Sequence, residues 1–107
     1  MLERLETIFG ERPNATREIE SAKVVLAHLH QMTPPSDGEQ KKVSLKELAL
    51  AVADDVRVVD SRFQGGAVNY IGLFDRLKEA GHLAGPPYYM PEDARKFFEQ
   101  NYGAAIK

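Results

Sequence analysis

The sequence contains no cysteine and no long apolar run among its 107 residues. The absence of cysteine excludes disulfide bonds, thiolate zinc sites, iron–sulfur clusters and thiol catalysis. No stretch approaches the length of a membrane span, and the first residues carry a charge every few positions instead of an apolar secretory segment. We therefore expect a cytoplasmic protein with no membrane partner.

The chain also has little excess of either charge. It carries 14 Lys and Arg against 16 Asp and Glu, a formal net charge of −2. This balance excludes a strongly basic nucleic-acid binder, so any DNA binding has to come from local segregation of charge. Hydrophobic residues make up 43% and charged residues 28%, which is typical of a folded domain.

Motifs of catalytic and metal sites are missing as well. His28 and His30 are two residues apart on a predicted helix, so they point to opposite faces and do not chelate one metal ion together. Asp54 and Asp55 are adjacent, which is not the spacing that paired acid and base catalysis needs. The sequence has no phosphate-binding loop and no dinucleotide-binding glycine motif. We therefore expect no enzymatic activity, no metal site and no cofactor.

The N-terminal part of the chain predicts two helices. Apolar residues recur at helical spacing over residues 2–9 and again over residues 19–32, where they line one side for four turns. The next ten residues contain two prolines and a glycine and nothing apolar to bury, which is typical of a linker. We predict an N-terminal helical arm over 1–32, a linker loop over 33–42 and a body over 43–107, forming one compact domain overall.

The body begins with a strong helix-start motif. Ser44 and Glu47 have the spacing of a capping box, in which the side chain of each residue binds the backbone amide of the other. Leu45, Leu48 and Val52 follow at helical spacing. The sequence therefore predicts a helix over 45–54.

Residues 56–59 allow two interpretations. They are rich in valine, which favours a short strand, yet the apolar residues of this region also share one face of a helix. In the helical interpretation, a short helix over 56–64 ends at a Gly-Gly turn and is followed by a helix over 67–80. Gly81 then suits the left-handed stop position. We expect a small hairpin over 82–90 and a closing helix over 91–102.

This order of elements resembles the winged helix-turn-helix family, in which a short helix, a glycine-containing turn and a longer helix precede a β-hairpin wing. Residues 73–83 are similar to the end of a recognition helix, and residues 88–94 to the second wing strand and closing helix. Residues 62–66 are loosely similar to the DNA-reading winged domain of bacterial DNA translocases. The resemblance implies a mainly α fold, a winged helix-turn-helix with a short β-hairpin wing and an extra N-terminal helical arm.

A stretch without carboxylates supports DNA binding by this fold. Residues 61–74 contain neither Asp nor Glu, although the chain has 16 such residues. Asn69 and Gln64 carry the amide groups that pair with adenine, and Arg62 suits guanine or a phosphate. Lys46, at a helix N-terminus, suits the flanking phosphates. The complete set of predicted DNA contacts is Lys46, Arg57, Arg62, Gln64, Asn69, Tyr70 and Arg76.

The sequence thus predicts a small DNA-binding protein, a transcriptional regulator whose helix over 67–80 reads double-stranded DNA. The alternative is a protein–protein interaction module of the same fold without DNA binding, which the acidic balance and the uncharged wing favour. The N-terminal arm has more apolar residues than a short body needs. We therefore expect a homodimer through the arm, unless these residues complete the core of the monomer.

Overall fold

The computed structural model describes residues 2–10, 15–34, 40–60 and 70–103, and these residues are mainly helical. Five helices lie within these ranges. In chain order they are α1 (Leu5–Phe9), α2 (Ala15–Met32), α3 (Leu45–Val59), α4 (Ile71–Glu79) and α5 (Glu92–Tyr102).

The central helix of the fold is α2. Its apolar residues recur on one side, and Val25, Leu26 and Leu29 are completely buried. Such a stripe is what an amphipathic helix uses to join a core. The helix packs against α1, α3 and α5, so the core forms around it.

The short helix α1 belongs to the same core as α2. Its Leu5 and Phe9 are completely buried, and Leu2 and Ile8 pack against the same cluster. The apolar residues from which we inferred a homodimer are therefore covered within one chain. The predicted dimer through the N-terminal arm loses its physical basis, because these helices are part of the core.

The predicted capping box is present at the start of α3. Ser44 Oγ accepts a hydrogen bond from the amide of Glu47 (3.1 Å), and Glu47 Oε1 accepts one from the amide of Ser44 (3.4 Å). The helix then runs unbroken to Val59. A separate helix beginning at residue 56 and a strand over 56–59 are both wrong. Val56 is completely buried and extends the inward stripe, which outweighs the β preference of the valines.

The helix predicted over 67–80 is described as α4, from Ile71 to Glu79. Residues 61–69 lie outside the described ranges, and with them the predicted Gly-Gly turn. Gly81 follows α4 with a φ of 87°, so the predicted left-handed stop is confirmed.

The predicted β-hairpin wing is absent from the described residues, so the winged helix-turn-helix fold is wrong. In place of paired strands, one isolated antiparallel bridge joins Ala84 to Tyr89. A second bridge joins Tyr88 to Val43, just before α3. The two prolines between the first pair of residues have no amide hydrogen and cannot extend the ladder. The segment is instead joined through Tyr88 to the residue Val43, which precedes α3.

Contacts between the two ends of the chain close the fold. The phenol of Tyr102 accepts a hydrogen bond from the amide of Leu5 (3.1 Å) and donates one to the Glu6 carboxylate (2.9 Å). The ring of His82 adds a second connection, since its Nε2 lies 2.6 Å from the carbonyl oxygen of Glu3. α1 and the residues before it are thus fastened to the C-terminal part of the fold.

Candidate functional site

Two residues of the predicted DNA-contact set, Tyr70 and Arg76, are turned inward. Tyr70 is 1% exposed, its ring centroid lies 5.9 Å from that of Phe74, and burial raises the pKa of its phenol. Arg76 donates a hydrogen bond to the carbonyl oxygen of Ile8 (3.1 Å) and lies over the ring of Phe9 (5.2 Å). Neither side chain is placed to enter a DNA groove, because Tyr70 is buried in the core and Arg76 binds residues of α1.

Two others, Lys46 and Arg57, are exposed on α3. The guanidinium of Arg57 forms an ion pair with Asp54, and its Nε donates to the carbonyl oxygen of Ala53 (3.3 Å). The structure therefore brings Lys46 and Arg57 onto one helix, with Arg57 close enough to Tyr70 for its charge to act on the phenol. The remaining three predicted contacts lie outside the described residues: Arg62, Gln64 and Asn69.

The outward side of α3 also carries aliphatic side chains. Leu50 is 70% exposed and Val58 is 85% exposed. Residues 46, 50, 54 and 58 are spaced by four and form one row along the helix, with residue 57 beside it. We define the α3 outer face as Lys46, Leu50, Asp54, Arg57 and Val58.

Sequence reasoning missed Leu50 and Val58 as functional candidates. The signal for Leu50 is visible in the sequence, because this leucine lies off the inward stripe formed by Leu48, Ala49 and Val52. The sequence gives no such signal for Val58, because the side on which Val58 lies depends on whether residues 56–59 form a helix or a strand. Only the continuity of α3 to its last turn places Val58 on the same side as Leu50.

Charged residues of opposite sign lie on the two sides of Leu50 along the helix. Lys46 lies four residues before Leu50 and Asp54 four residues after it. The side chains of Asp54 and Arg57 are 91% and 51% exposed, so water screens their ion pair. Exposed pairs of this kind contribute about 0–1 kcal/mol to stability, so little free energy opposes their rearrangement around another molecule.

A small group of lysines lies at the N-terminal end of α3. Lys41 and Lys42 are exposed just before the helix, and Lys46 is exposed in its first turn. The ammonium of Lys42 lies 5.0 Å from the ring centroid of Tyr89. These are the described cations that best suit a phosphate backbone, although the carboxylate of Glu47 lies in the same turn.

A polar groove of about 370 Å³ lies beside α5. Its polar groups bind one another and the end of α2. Arg95 donates to the carbonyl oxygen of Thr33 (2.9 Å), and His30 Nε2 lies 2.7 Å from Glu99. The hydrogen bond from His30 lowers the pKa of the Glu99 carboxyl. We assign this groove a structural role at the junction of α2 and α5. Its lining residues are Gln40, Glu92, Arg95, Lys96 and Glu99.

The three histidines lie in separate environments. His28 contacts Asp55 (2.8 Å) between α2 and α3, whereas His30 faces α5. His82 is completely buried, with its ring centroid 5.3 Å from that of Phe97. Within the part of the chain that the structure describes, no three His, Asp or Glu residues are grouped to hold a metal ion.

No protein-family model matches this chain, and comparisons with curated proteins and with solved structures likewise give no match. Among the described residues, no helix has both the length and the apolar character that crossing a bilayer requires. The α3 outer face and the neighbouring lysines are therefore interpreted from their own chemistry.

Proposed function

We propose that this chain is a helical protein-interaction module that binds another protein chain through the α3 outer face. The observation that carries the proposal is the exposure of Leu50 and Val58 on one side of a helix whose other apolar residues are buried or half-buried. Protein interfaces combine an apolar centre with a polar rim, and Lys46, Asp54 and Arg57 supply such a rim.

The size of the apolar patch sets an expectation for affinity. Complete burial of a leucine or valine side chain contributes about 1.5–3 kcal/mol. Because Leu50 is 70% and Val58 is 85% exposed, covering the exposed part of both contributes roughly 2–5 kcal/mol. Association itself costs about 4–15 kcal/mol, and a stable interface covers about 800 Å² on each partner. The α3 outer face therefore acts either as the centre of a larger contact or as a weak, reversible contact of its own.

DNA binding is the second candidate, and the exposed lysines at the start of α3 favour it. Lys41, Lys42 and Lys46 are placed to neutralise phosphates. The exposed carboxylates of Glu47 and Asp54 on the same helix repel a DNA backbone, however. The inward positions of Tyr70 and Arg76 further remove two of the predicted DNA contacts from the surface. We therefore rank contact with protein above contact with DNA.

Site-specific photo-crosslinking in the native host tests the protein-binding proposal. p-Benzoylphenylalanine is placed at position 50 or 58, and, as a control, at the exposed position 31 on α2. We expect both α3 positions to capture the same protein, identified by mass spectrometry as this chain or another, and position 31 not to capture it. Adducts that are the same from all three positions, or absent from both α3 positions, would overturn the proposal.

A DNA titration separates the two candidates. Fluorescence anisotropy with duplex DNA is measured over a series of salt concentrations, for the natural chain and for Lys46→Ala. The protein-binding proposal predicts no saturable DNA binding at low salt. Saturable binding whose salt dependence becomes shallower in Lys46→Ala would instead support DNA binding.

A further inference from the structure

We propose that the partner of the α3 outer face is a second copy of this chain, whose α3 lies antiparallel to the first across a two-fold axis at Leu50. This inference rests on the proposed function and names its partner. It follows from the order of the charges along the helix and from the position of Leu50 between them.

The spacing of the charged residues is symmetric about Leu50. Lys46 and Asp54 are each four residues away, about 6 Å along the helix axis in opposite directions. A two-fold axis at Leu50 therefore places Lys46 of each copy opposite Asp54 of the other. One apolar contact between the two leucines is then flanked by two ion pairs of identical composition.

The row of residues also has the form that helix pairing requires. Residues 46, 50, 54 and 58 belong to one ridge with a spacing of four, so their side chains lie along one side of α3 and can meet a second helix together. The outward side of α3 is exposed at both Leu50 and Val58, so a second helix has access to the whole ridge. A closed dimer uses the same patch on both copies, as this arrangement does.

The mixture of signs argues against other arrangements. A parallel pair in the same register places lysine beside lysine and aspartate beside aspartate, which is unfavourable. A uniformly acidic or uniformly basic partner meets a repelling charge on one side of Leu50. The antiparallel second copy satisfies both charges.

The proposed dimer differs from the one expected from the sequence. That expectation placed the contact on the N-terminal helices, whose apolar residues are buried within one chain. The α3 outer face lies on a different helix and uses two residues that stay exposed in the folded chain. Because the apolar area is small, the dimer is expected to form reversibly in the micromolar range or above.

Charge-reversal variants test this register by sedimentation equilibrium of the full chain from about 1 µM to about 1 mM. We expect Lys46→Glu and Asp54→Lys, taken singly, each to weaken self-association at least about tenfold, because each places like charges together. An equimolar mixture of the two variants is expected to associate again, since the carboxylate introduced in one variant then meets the ammonium introduced in the other. The double variant is expected to associate like the natural chain.

Matched controls come from exposed charges on other helices. Lys96→Glu on α5 and Asp75→Lys on α4 change the net charge by the same amounts and are expected to leave self-association unchanged. Circular dichroism of each variant verifies that the helices are retained. Because the mixture must regain what each variant has lost, a general defect in folding cannot produce the expected result.

Two results would overturn the inference. One is a natural chain that stays monomeric at every concentration, and the other is a dimer that neither charge reversal weakens or that the mixture fails to restore. If crosslinking from α3 nevertheless captures a different protein, the proposed function stands while the second copy is excluded as its partner. Saturable DNA binding without α3 crosslinks would exclude both.

Discussion

Helices α2 and α3 have similar amphipathic sequences, but they place their apolar residues differently. In α2, whose every residue is described, the large apolar side chains are buried or packed against the core. In α3 the inward stripe is equally well buried, yet Leu50 and Val58 remain exposed. The apolar residues of α2 thus form the core, whereas two apolar residues off the stripe of α3 stay on the surface, where we propose a contact.

Alanine substitutions test this difference between α2 and α3 most directly, and we expect the largest effect from them. Leu26→Ala on α2 removes a completely buried side chain and is expected to lower the free energy of unfolding by about 2–5 kcal/mol. Leu50→Ala on α3 removes a mostly exposed one, and we expect a change within about 0.5 kcal/mol. Urea denaturation followed by circular dichroism at low protein concentration measures both. Equal losses in the two variants would show that Leu50 belongs to the core.

The second prediction concerns the hydrogen bond between Leu5 of α1 and Tyr102 of α5, which helps to keep the N-terminal apolar residues inside the monomer. Tyr102→Phe leaves the buried amide of Leu5 without its hydrogen-bond acceptor, and we expect a loss of about 1–3 kcal/mol in the free energy of unfolding. The matched control is Tyr89→Phe, at a half-buried tyrosine, for which we expect a smaller loss. The contact would be dispensable if both variants unfolded at the same urea concentration.

The third prediction concerns pH. Burial lowers the pKa of His82 below its ordinary value of 6.5, and the hydrogen bond to the carbonyl oxygen of Glu3 opposes this only in part. Its Nδ1 is buried without a partner, so an imidazolium there has no acceptor for its second proton. Below pH 6.5 the unfolded chain binds a proton more readily than the folded chain does. The contribution of neutral His82 to stability is therefore complete above this pH and is lost as the pH falls toward the lowered pKa.

Thermal unfolding at two values, about pH 7.5 and about pH 5.5, measures this dependence. The natural chain is expected to be less stable at the lower pH, and His82→Phe, which keeps an aromatic ring at that position, is expected to lose much of the dependence. His28→Gln is the control, because His28 is partly exposed beside Asp55, and it should retain the dependence. A dependence that persists unchanged in His82→Phe would assign it to other groups.

The features that sequence reasoning predicts well are local ones. The capping box of Ser44 and Glu47 joins residues three positions apart, and the stop at Gly81 depends on the conformation of a single residue. The apolar stripe of α2 is likewise a pattern within one helix. Each of these signals acts over a few residues, so the sequence contains it directly.

The features that sequence reasoning missed depend on distant partners. Tyr88 bridges to Val43 instead of completing a wing, and Arg76 binds the carbonyl group of Ile8, 68 residues away. Burial of Val56 makes helical a segment whose local preference is for strand. The α3 outer face was missed for a related reason. Val58 lies on this face only because α3 continues to Val59, and that continuation depends on the burial of Val56.

The most direct test of the α3 outer face is a dilution series followed by ¹H–¹⁵N correlation spectra of the natural chain. We predict that amide shifts depend on concentration around Lys46, Leu50, Asp54 and Val58, and that amides of α2 stay constant. Shifts that move instead on α1 or α2, or that nowhere depend on concentration up to about 1 mM, would contradict self-association through this face.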